Sequence, residues 1–299
     1  MPWSGTVAGV VGNWQDGRMS TAYWNQVRSA EMAVPTDRPL TDLTAELTTM
    51  LGSTDPVERD ETAYAILATW VSEGVYDDLL AGLGDGMTMG LQRGAGESGT
   101  DSVFRRSFSA LVLAECIQRD NTMALLPSAK ILEWGDKVTG WLVRERDVRG
   151  YVPGSGWAHA VAHGADAMGV LAESPRFGLN ELTVLLDVIG DRILEPTPTP
   201  LCAGEPDRLA RATMNVFRRR LVPLRMIEPW LARITAAASA QVPHGQDPFL
   251  TTGNPQAFLR ALHLQIALAP EPIGIRADLL LAVMDALRAS NAAYVSAPA

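Results

Sequence analysis

Lysine is almost missing from this sequence: Lys130 and Lys137 are the only two, and every other basic residue is arginine. That bias reports the base composition of a genome rather than a mechanism. Cysteine is equally scarce, with only Cys116 and Cys202, so neither a disulfide framework nor a cysteine-rich zinc site is available. Positive charge is in deficit, 25 Lys+Arg against 34 Asp+Glu, for a formal net charge of −9. Such acidity opposes nucleic acid, which is held by basic residues on phosphates, and it opposes an anionic membrane surface. Long apolar runs are missing too; nothing approaches the ~18 uncharged apolar residues of a membrane span. The apolar stretch Val7–Val11 follows no basic residue and is too short for a secretory signal. A soluble, reducing, cytoplasmic location is the expectation. Several catalytic templates are also absent: there is no GxSxG elbow and no HExxH, and Asp77-Asp78 is an isolated acidic pair.

What is present is a globular composition, 47% hydrophobic and 20% charged over 299 residues, enough for one elongated domain or two compact ones. Strand-like alternation is absent and helical spacing is nearly everywhere. In 55–74, Ala63, Ile66, Leu67, Trp70 and Val71 recur at steps of three and four. Asp55 is placed to cap that helix, Pro56 stands at its first position and Gly74 ends it. Similar starts recur at Asp101, Ser155, Glu205 and Asn254, spaced 46, 54, 50 and 49 residues apart from Asp55 onward. Each interval holds a second apolar helix, near 76–92, 126–145, 178–194, 222–240 and 273–290. A helix pair repeated every ~40–50 residues predicts an all-α, HEAT-like α/α solenoid of about five to six pairs in a single elongated domain. An irregular helical bundle is the competing arrangement. Residues 1–50 are read as an N-terminal helical cap, with helices near 22–33 and 39–50, and residues 51–299 as the repeat domain. The stretch 195–205 (EPTPTPLCAGE) is the best flexible link, or else a loop over one face rather than a domain boundary.

The most unusual segment is 149–166, RGYVPGSGWAHAVAHGAD. A turn-rich loop, 150–156, precedes a helix on which His159, His163 and Asp166 stand at i, i+4 and i+7, one stripe at the border of the apolar face. Three readings stay open. His159 and His163 form a candidate divalent-metal pair, with Asp166 as third ligand or orienting acceptor. Without metal, the same three side chains are candidate catalytic groups, a histidine beside a carboxylate serving as general base. The third reading is structural, two hydrogen-bonded histidines between helices. Gly154, Ser155 and Gly156 before a helix start also attract anions, but the pattern is neither a dinucleotide nor a Walker loop.

Other first helices carry polar residues near their starts: Asp60 and Tyr64 with Arg59; Arg105 and Arg106; Asp207 and Arg208 with Arg211; Gln256, Arg260 and His263. In a solenoid, equivalent positions on successive repeats line one surface. Acids there cap helices. Arginines oppose the dipole, so Arg59, Arg106 and Arg208 either pair with a carboxylate or await an anionic ligand.

The segments DSVFRRSFSALVLA (101–114) and RGYVPGSGWAHAVAHGADA (149–167), with ERDETAY (58–64) and EPDRLA (205–210), resemble the bacterial family known as domain of unknown function 2785. The likeness spans roughly 55–290. It implies an all-helical, HEAT-like protein, and it carries over no catalytic residue. It singles out Asp101, Arg106, Arg149, Trp157, His159, His163 and Asp166 as motif positions. The family pattern favours a lysine in the glycine turn and a threonine before the second arginine; here those positions are Ser155 and Arg105. A ligand contact made by the turn lysine is therefore in doubt in this chain.

Two functions are expected from these residues. One is a pocket, enzymatic or not, for a small polar or anionic metabolite. In it His159, His163 and Asp166 would act, Asp60, Tyr64, Asp101, Arg106, Arg149, Asp207 and Arg208 would bind, and Trp157 would form a wall. The other is a non-catalytic adaptor holding a protein or peptide on a concave face.

Overall fold

The computed structural model describes residues 18–270 and 273–295. The run Val7–Val11 and the first part of the expected N-terminal cap lie outside them. Among the described residues the chain is all-helical apart from one two-residue hairpin. Helices α1 (Arg18–Ser29) and α2 (Leu40–Met50) lean on the start of α3, which opens as a π-helical stretch, Val57–Tyr64, and continues as α-helix, Ala65–Ser72. Then come α4 (Leu80–Gly90), α5 (Ser102–Met123) and α6 (Ser128–Arg144). The hairpin β1 (Tyr151–Val152) and β2 (Gly156–Trp157) leads into α7 (Ala160–Glu173) and α8 (Leu179–Leu194). The rest is α9 (Glu205–Arg218), α10 (Leu224–Ala238), α11 (Phe249–Leu268), α12 (Arg276–Ser290) and the short α13 (Ala292–Val295). No described helix is long and apolar enough to cross a membrane.

From α3 onward the helices form two layers. The odd helices α3, α5, α7, α9 and α11 pack side by side in chain order, and the even helices α4, α6, α8, α10 and α12 do the same behind them. Long-range hydrogen bonds keep one stride. Tyr64 reaches Glu115 across 51 residues, Asn121 reaches the Val170 carbonyl across 49, and Asn215 reaches the Gly169 carbonyl across 46. In the other layer Lys130 reaches Asp85 across 45 and Trp230 reaches the Leu186 carbonyl across 44. These bonds join a helix to its counterpart in the neighbouring helix pair.

Helix α7 shows why composition and place agree. It lies between α5 and α9 with α6 behind, and nearly all of it is buried. A helix packed on three sides must be apolar there and thin enough for close neighbours. Its sequence, AVAHGADAMGVLAE, is rich in small residues, with Gly164 against Leu142 and Trp141 and Gly169 against Ala212 and Asn215, and it keeps its polar His163 and Asp166 for the open side.

Two expected helix starts move. Ser155 does not open α7; the helix begins at Ala160. Gly154 and Gly156 have φ of 82° and 74°, which only a turn uses, and Tyr151 pairs with Trp157 to close a hairpin. Gly156 also has no room for a side chain, because a Cβ there would stand 3.1 Å from Pro56 and 3.2 Å from the Arg59 guanidinium. Asn254 does not open α11 either; that helix starts at Phe249 and contains Pro255. Buried Asn254 instead accepts from the Leu201 amide at 2.8 Å and donates to Thr197 at 3.0 Å. The stretch expected to be a flexible link is therefore pinned across the face of α11. Asp55 does cap α3, accepting from the Val57 amide at 2.9 Å, whereas Asp101 makes no capping bond to α5.

Candidate functional site

The exposed sides of α3, α5, α7 and α9 enclose a cleft of about 660 Å³. It is lined by Asp60, Tyr64, Trp157, His159, His163, Asp207 and Arg208, with Phe108 and Leu111 between them. A second compartment of about 460 Å³ adjoins it across Tyr64, Leu111 and Arg208, and reaches Glu115, Asp166, Glu173 and Arg211. Eight of the sequence-derived candidates thus share one groove, built by residues one repeat apart.

His159 sits at the mouth in a left-handed backbone, φ 50° and ψ 33°, as the N-cap of α7. A non-glycine residue there stores about 1–2 kcal/mol, and such outliers gather at ligand clefts. Three contacts hold it. Its amide donates to the Arg149 carbonyl at 3.1 Å, its ring stacks on Trp157 at 4.2 Å, and its Nε2 donates to the Ala203 carbonyl at 3.1 Å. A carbonyl only accepts, so neutral His159 carries its proton on Nε2 and keeps a lone pair on Nδ1. Burial lowers its pKa from the usual imidazole value.

His163 lies one turn deeper, 6% exposed, edge-on to Phe108 at 5.0 Å and to His159 at 5.8 Å. Its Nδ1 lies 2.8 Å from Ser107 Oγ. The Ser107 hydroxyl is fully buried and has no other partner among the described residues. Were Nδ1 protonated, that hydroxyl hydrogen would be buried without an acceptor, which costs about 1–3 kcal/mol. We therefore assign Ser107 as donor, Nδ1 as acceptor and Nε2–H as the free group of a ring that lines the cleft. Burial first, then His159 and Arg208, push the His163 pKa down to about 3, so the ring is neutral at neutral pH. A group so weakly basic is a hydrogen-bond donor to the cleft rather than the expected general base.

Asp166 forms an ion pair with Arg208 and so faces α9, not the histidines. Burial raises its pKa, opposed by Arg208. Asp166, paired with Arg208, is not turned to the histidines as the expected third ligand or orienting acceptor; Ser107 occupies His163 Nδ1 and the Ala203 carbonyl occupies His159 Nε2. Among the described residues no three His, Cys, Asp or Glu side chains come together as a metal site.

The remaining arginines brace the scaffold. Arg59 is fully buried over the faces of Phe104 and Phe108, at 4.3 and 4.9 Å, and donates to the carbonyls of Ser53 and Ser155, both at 2.8 Å. Its Nε also lies 2.7 Å from Asp60, a charge contact not aligned as a hydrogen bond. Arg106 is 1% exposed and bonds Glu145 through both Nε (2.6 Å) and Nη2 (2.9 Å). Arg149 clamps Asp147 at 2.7 Å and the Thr100 carbonyl at 2.6 Å. Arg106, Arg149 and exposed Asp101 are therefore not brought to the cleft, contrary to their expected binding role. Arg106 and Arg149 tie the 91–101 loop to the segment entering the hairpin through Glu145 and Asp147, which the sequence alone does not place within their reach.

Several residues of the site were not foreseen: Phe108, Glu115, Glu173 and Asn215 line the groove, and buried Ser107 orients His163 from behind. Glu115 accepts from the Tyr64 hydroxyl at 2.8 Å, and burial with this carboxylate raises the Tyr64 pKa. Glu173 accepts from Asn215 at 2.7 Å. The repeat stride is the available signal, since Tyr64 and Glu115 differ by one stride.

The model of one protein family, described as "Protein of unknown function (DUF2785)", matches residues 91–264, more than half of the chain. The match holds the hairpin, both histidines, Asp166 and Arg208, and leaves Asp60 and Tyr64 outside. No curated protein and no solved structure matches the chain.

Proposed function

We propose that this chain, which belongs to the DUF2785 family, is a HEAT-like helical-repeat protein that binds a small polar molecule in the cleft between Trp157 and His163. The repeat reading is supported by the two ordered layers and by hydrogen bonds that recur at one stride along the chain. The observation that carries the binding reading is the mouth of the cleft. A strained His159 is held by Trp157 and Ala203 above a buried His163 whose ring has one nitrogen left for a ligand. Backbone strain and open polar groups cluster at ligand sites. Trp157, 41% exposed at the rim, offers an aromatic wall. Two free cysteines, buried Cys116 and exposed Cys202, fit a reducing bacterial cytoplasm.

The test is a thermal-shift screen of polar metabolites against wild type and Trp157→Ala. Trp157 is at the surface, so its loss leaves the fold intact. A ligand at a hundred times its Kd adds about 2.7 kcal/mol, which raises the melting temperature by several degrees. Compounds that stabilise wild type and lose that effect in Trp157→Ala support the reading. Hits indifferent to Trp157→Ala, or no hit from a broad collection, overturn it.

A further inference from the structure

The cleft's hydrogen-bonding polarity and charge identify a ligand class, and this step rests on the cleft being a binding site. The arginines that suggested an anion do not supply free positive charge. Arg59 lies against Asp60 and Arg208 against Asp166, so those pairs cancel. Three lining carboxylates have no cationic partner among the described residues. Glu115 accepts only from the Tyr64 hydroxyl, Glu173 only from the Asn215 amide, and the exposed Asp207 side chain from nothing. Arg211 is the one lining cation without a carboxylate at ion-pair distance among those residues. Both histidines are neutral by burial. The groove therefore carries excess negative charge within a chain of net charge −9, a field that concentrates cations and repels anions.

The second observation is independent of that charge. His163, 94% removed from solvent by its 6% exposure, leaves Nε2–H without a partner among the described residues, while His159 leaves a lone pair on Nδ1. The rings stand 5.8 Å apart. One donor and one acceptor side by side match a hydroxyl, which accepts from the first and donates to the second. An ammonium group offers no acceptor to His163, and a carboxylate offers no donor to His159. Trp157 adds a flat apolar wall at the same end, and Glu115 and Glu173 lie in the adjoining compartment.

We propose that the groove binds a hydroxylated organic cation, an amino sugar or related amino alcohol, with a hydroxyl between His159 and His163 and its ammonium toward Glu115 and Glu173. The probes are the β-1,4 disaccharide of glucosamine, cellobiose (the same ring scaffold without the charge) and spermidine (charge without hydroxyls), titrated calorimetrically into the full chain. The glucosamine disaccharide binds at one site, and cellobiose and spermidine bind at least tenfold more weakly. Glu173→Gln and Glu115→Gln keep the Asn215 and Tyr64 hydrogen bonds, so they fold. Each lowers the affinity for the glucosamine disaccharide at least tenfold and leaves that for cellobiose unchanged. The surface control Asp285→Asn changes neither. Equal binding of cellobiose and the glucosamine disaccharide overturns the assignment, as does amine binding indifferent to both glutamine variants. So does failure of all three probes. In that last case, compounds of other classes whose stabilising effect needs Trp157 would keep the cleft reading, and their absence would remove both.

Discussion

Arg106 decides between two uses of a buried cation, and removing its partner measures which one holds. The Glu145 carboxylate accepts from Arg106 Nε at 2.6 Å and Nη2 at 2.9 Å, from Trp141 Nε1 at 2.9 Å and from the Asp147 amide at 2.9 Å. Arg106 also donates to the carbonyls of Arg93 and Gly94, both at 2.9 Å, and to Ser102 Oγ at 2.7 Å. Both side chains are 1% exposed. Glu145→Leu leaves a guanidinium in a dry interior with no counter-charge, a loss of about 3–5 kcal/mol. Against a total stability of about 5–15 kcal/mol that is a large fraction. Arg106→Met strands the carboxylate and has a similar effect. The double variant strands neither, so its loss falls well short of the sum, with a coupling of about 2 kcal/mol or more. It does not return to wild type, because the carbonyls of the 91–97 loop lose their donor. Urea unfolding followed by tryptophan fluorescence gives the midpoints, with an unchanged slope required for the comparison. A loss under about 1 kcal/mol for Glu145→Leu refutes the argument. So does an Arg106→Met protein of wild-type stability that no longer binds a cleft ligand, which would return Arg106 to a binding role.

Acid lowers stability through His163. Its reference pKa of 6.5 falls to about 3 on folding, so between those values the unfolded chain takes up a proton that the folded one refuses. Stability from this group is complete above pH 6.5 and falls toward pH 3, by at most about 1.4 kcal/mol per pH unit. Subtracting the pH profile of His163→Gln isolates that slope, and parallel profiles would refute it. Gly84→Ala puts a Cβ 2.1 Å from Trp134 Cζ2, inside the fully buried indole that donates to Asp85 at 2.8 Å. Overpacking of about 1–3 kcal/mol exceeds the helix-propensity gain of about 1 kcal/mol, so the midpoint drops; a stabilised variant would contradict the packing. Asn254→Ala removes the buried bonds to Leu201 and Thr197, lowers stability by about 2 kcal/mol and opens 195–204 to protease; unchanged cleavage would show the loop is held by other contacts.

Much of the architecture was legible because helices announce themselves locally. The span 55–74 carried an Asx cap, an early proline, a regular apolar stripe and a terminal glycine, and α3 occupies 57–72. The errors occurred where long-range contacts override local signals. Ser155-Gly156 looked like a helix start, yet the positive φ of two glycines and support from Arg59, 96 residues away, make it a hairpin. Asn254-Pro255 looked like a cap and first turn, yet Asn254 is buried inside a helix and holds a loop 53 residues earlier. Of the site, the polar first helices and the histidine pair were visible as types and spacings. Their hydrogen-bonding roles were not, because those depend on Ser107 and Ala203, which lie 56 and 44 residues from the histidines they orient.

The arginines show how far charge logic alone reaches. A cation in the first turn of a helix opposes the dipole, so each one had to find an acid within the chain or outside it. For Arg106 the acid is 39 residues on, and for Arg208 it is Asp166, one stride back on the neighbouring helix. Stacked helix pairs bring such residues together as a rule, because the first turn of one helix lies against the body of another. Once those pairs are formed, the positive charge foreseen at the repeat starts is neutralised within the scaffold. Asp60 and Asp166 line the groove already paired, whereas Glu115, Glu173 and Asp207 face it with no arginine to answer among the described residues. The sign of the proposed ligand therefore follows from which charges the fold consumes rather than from which charges the sequence counts.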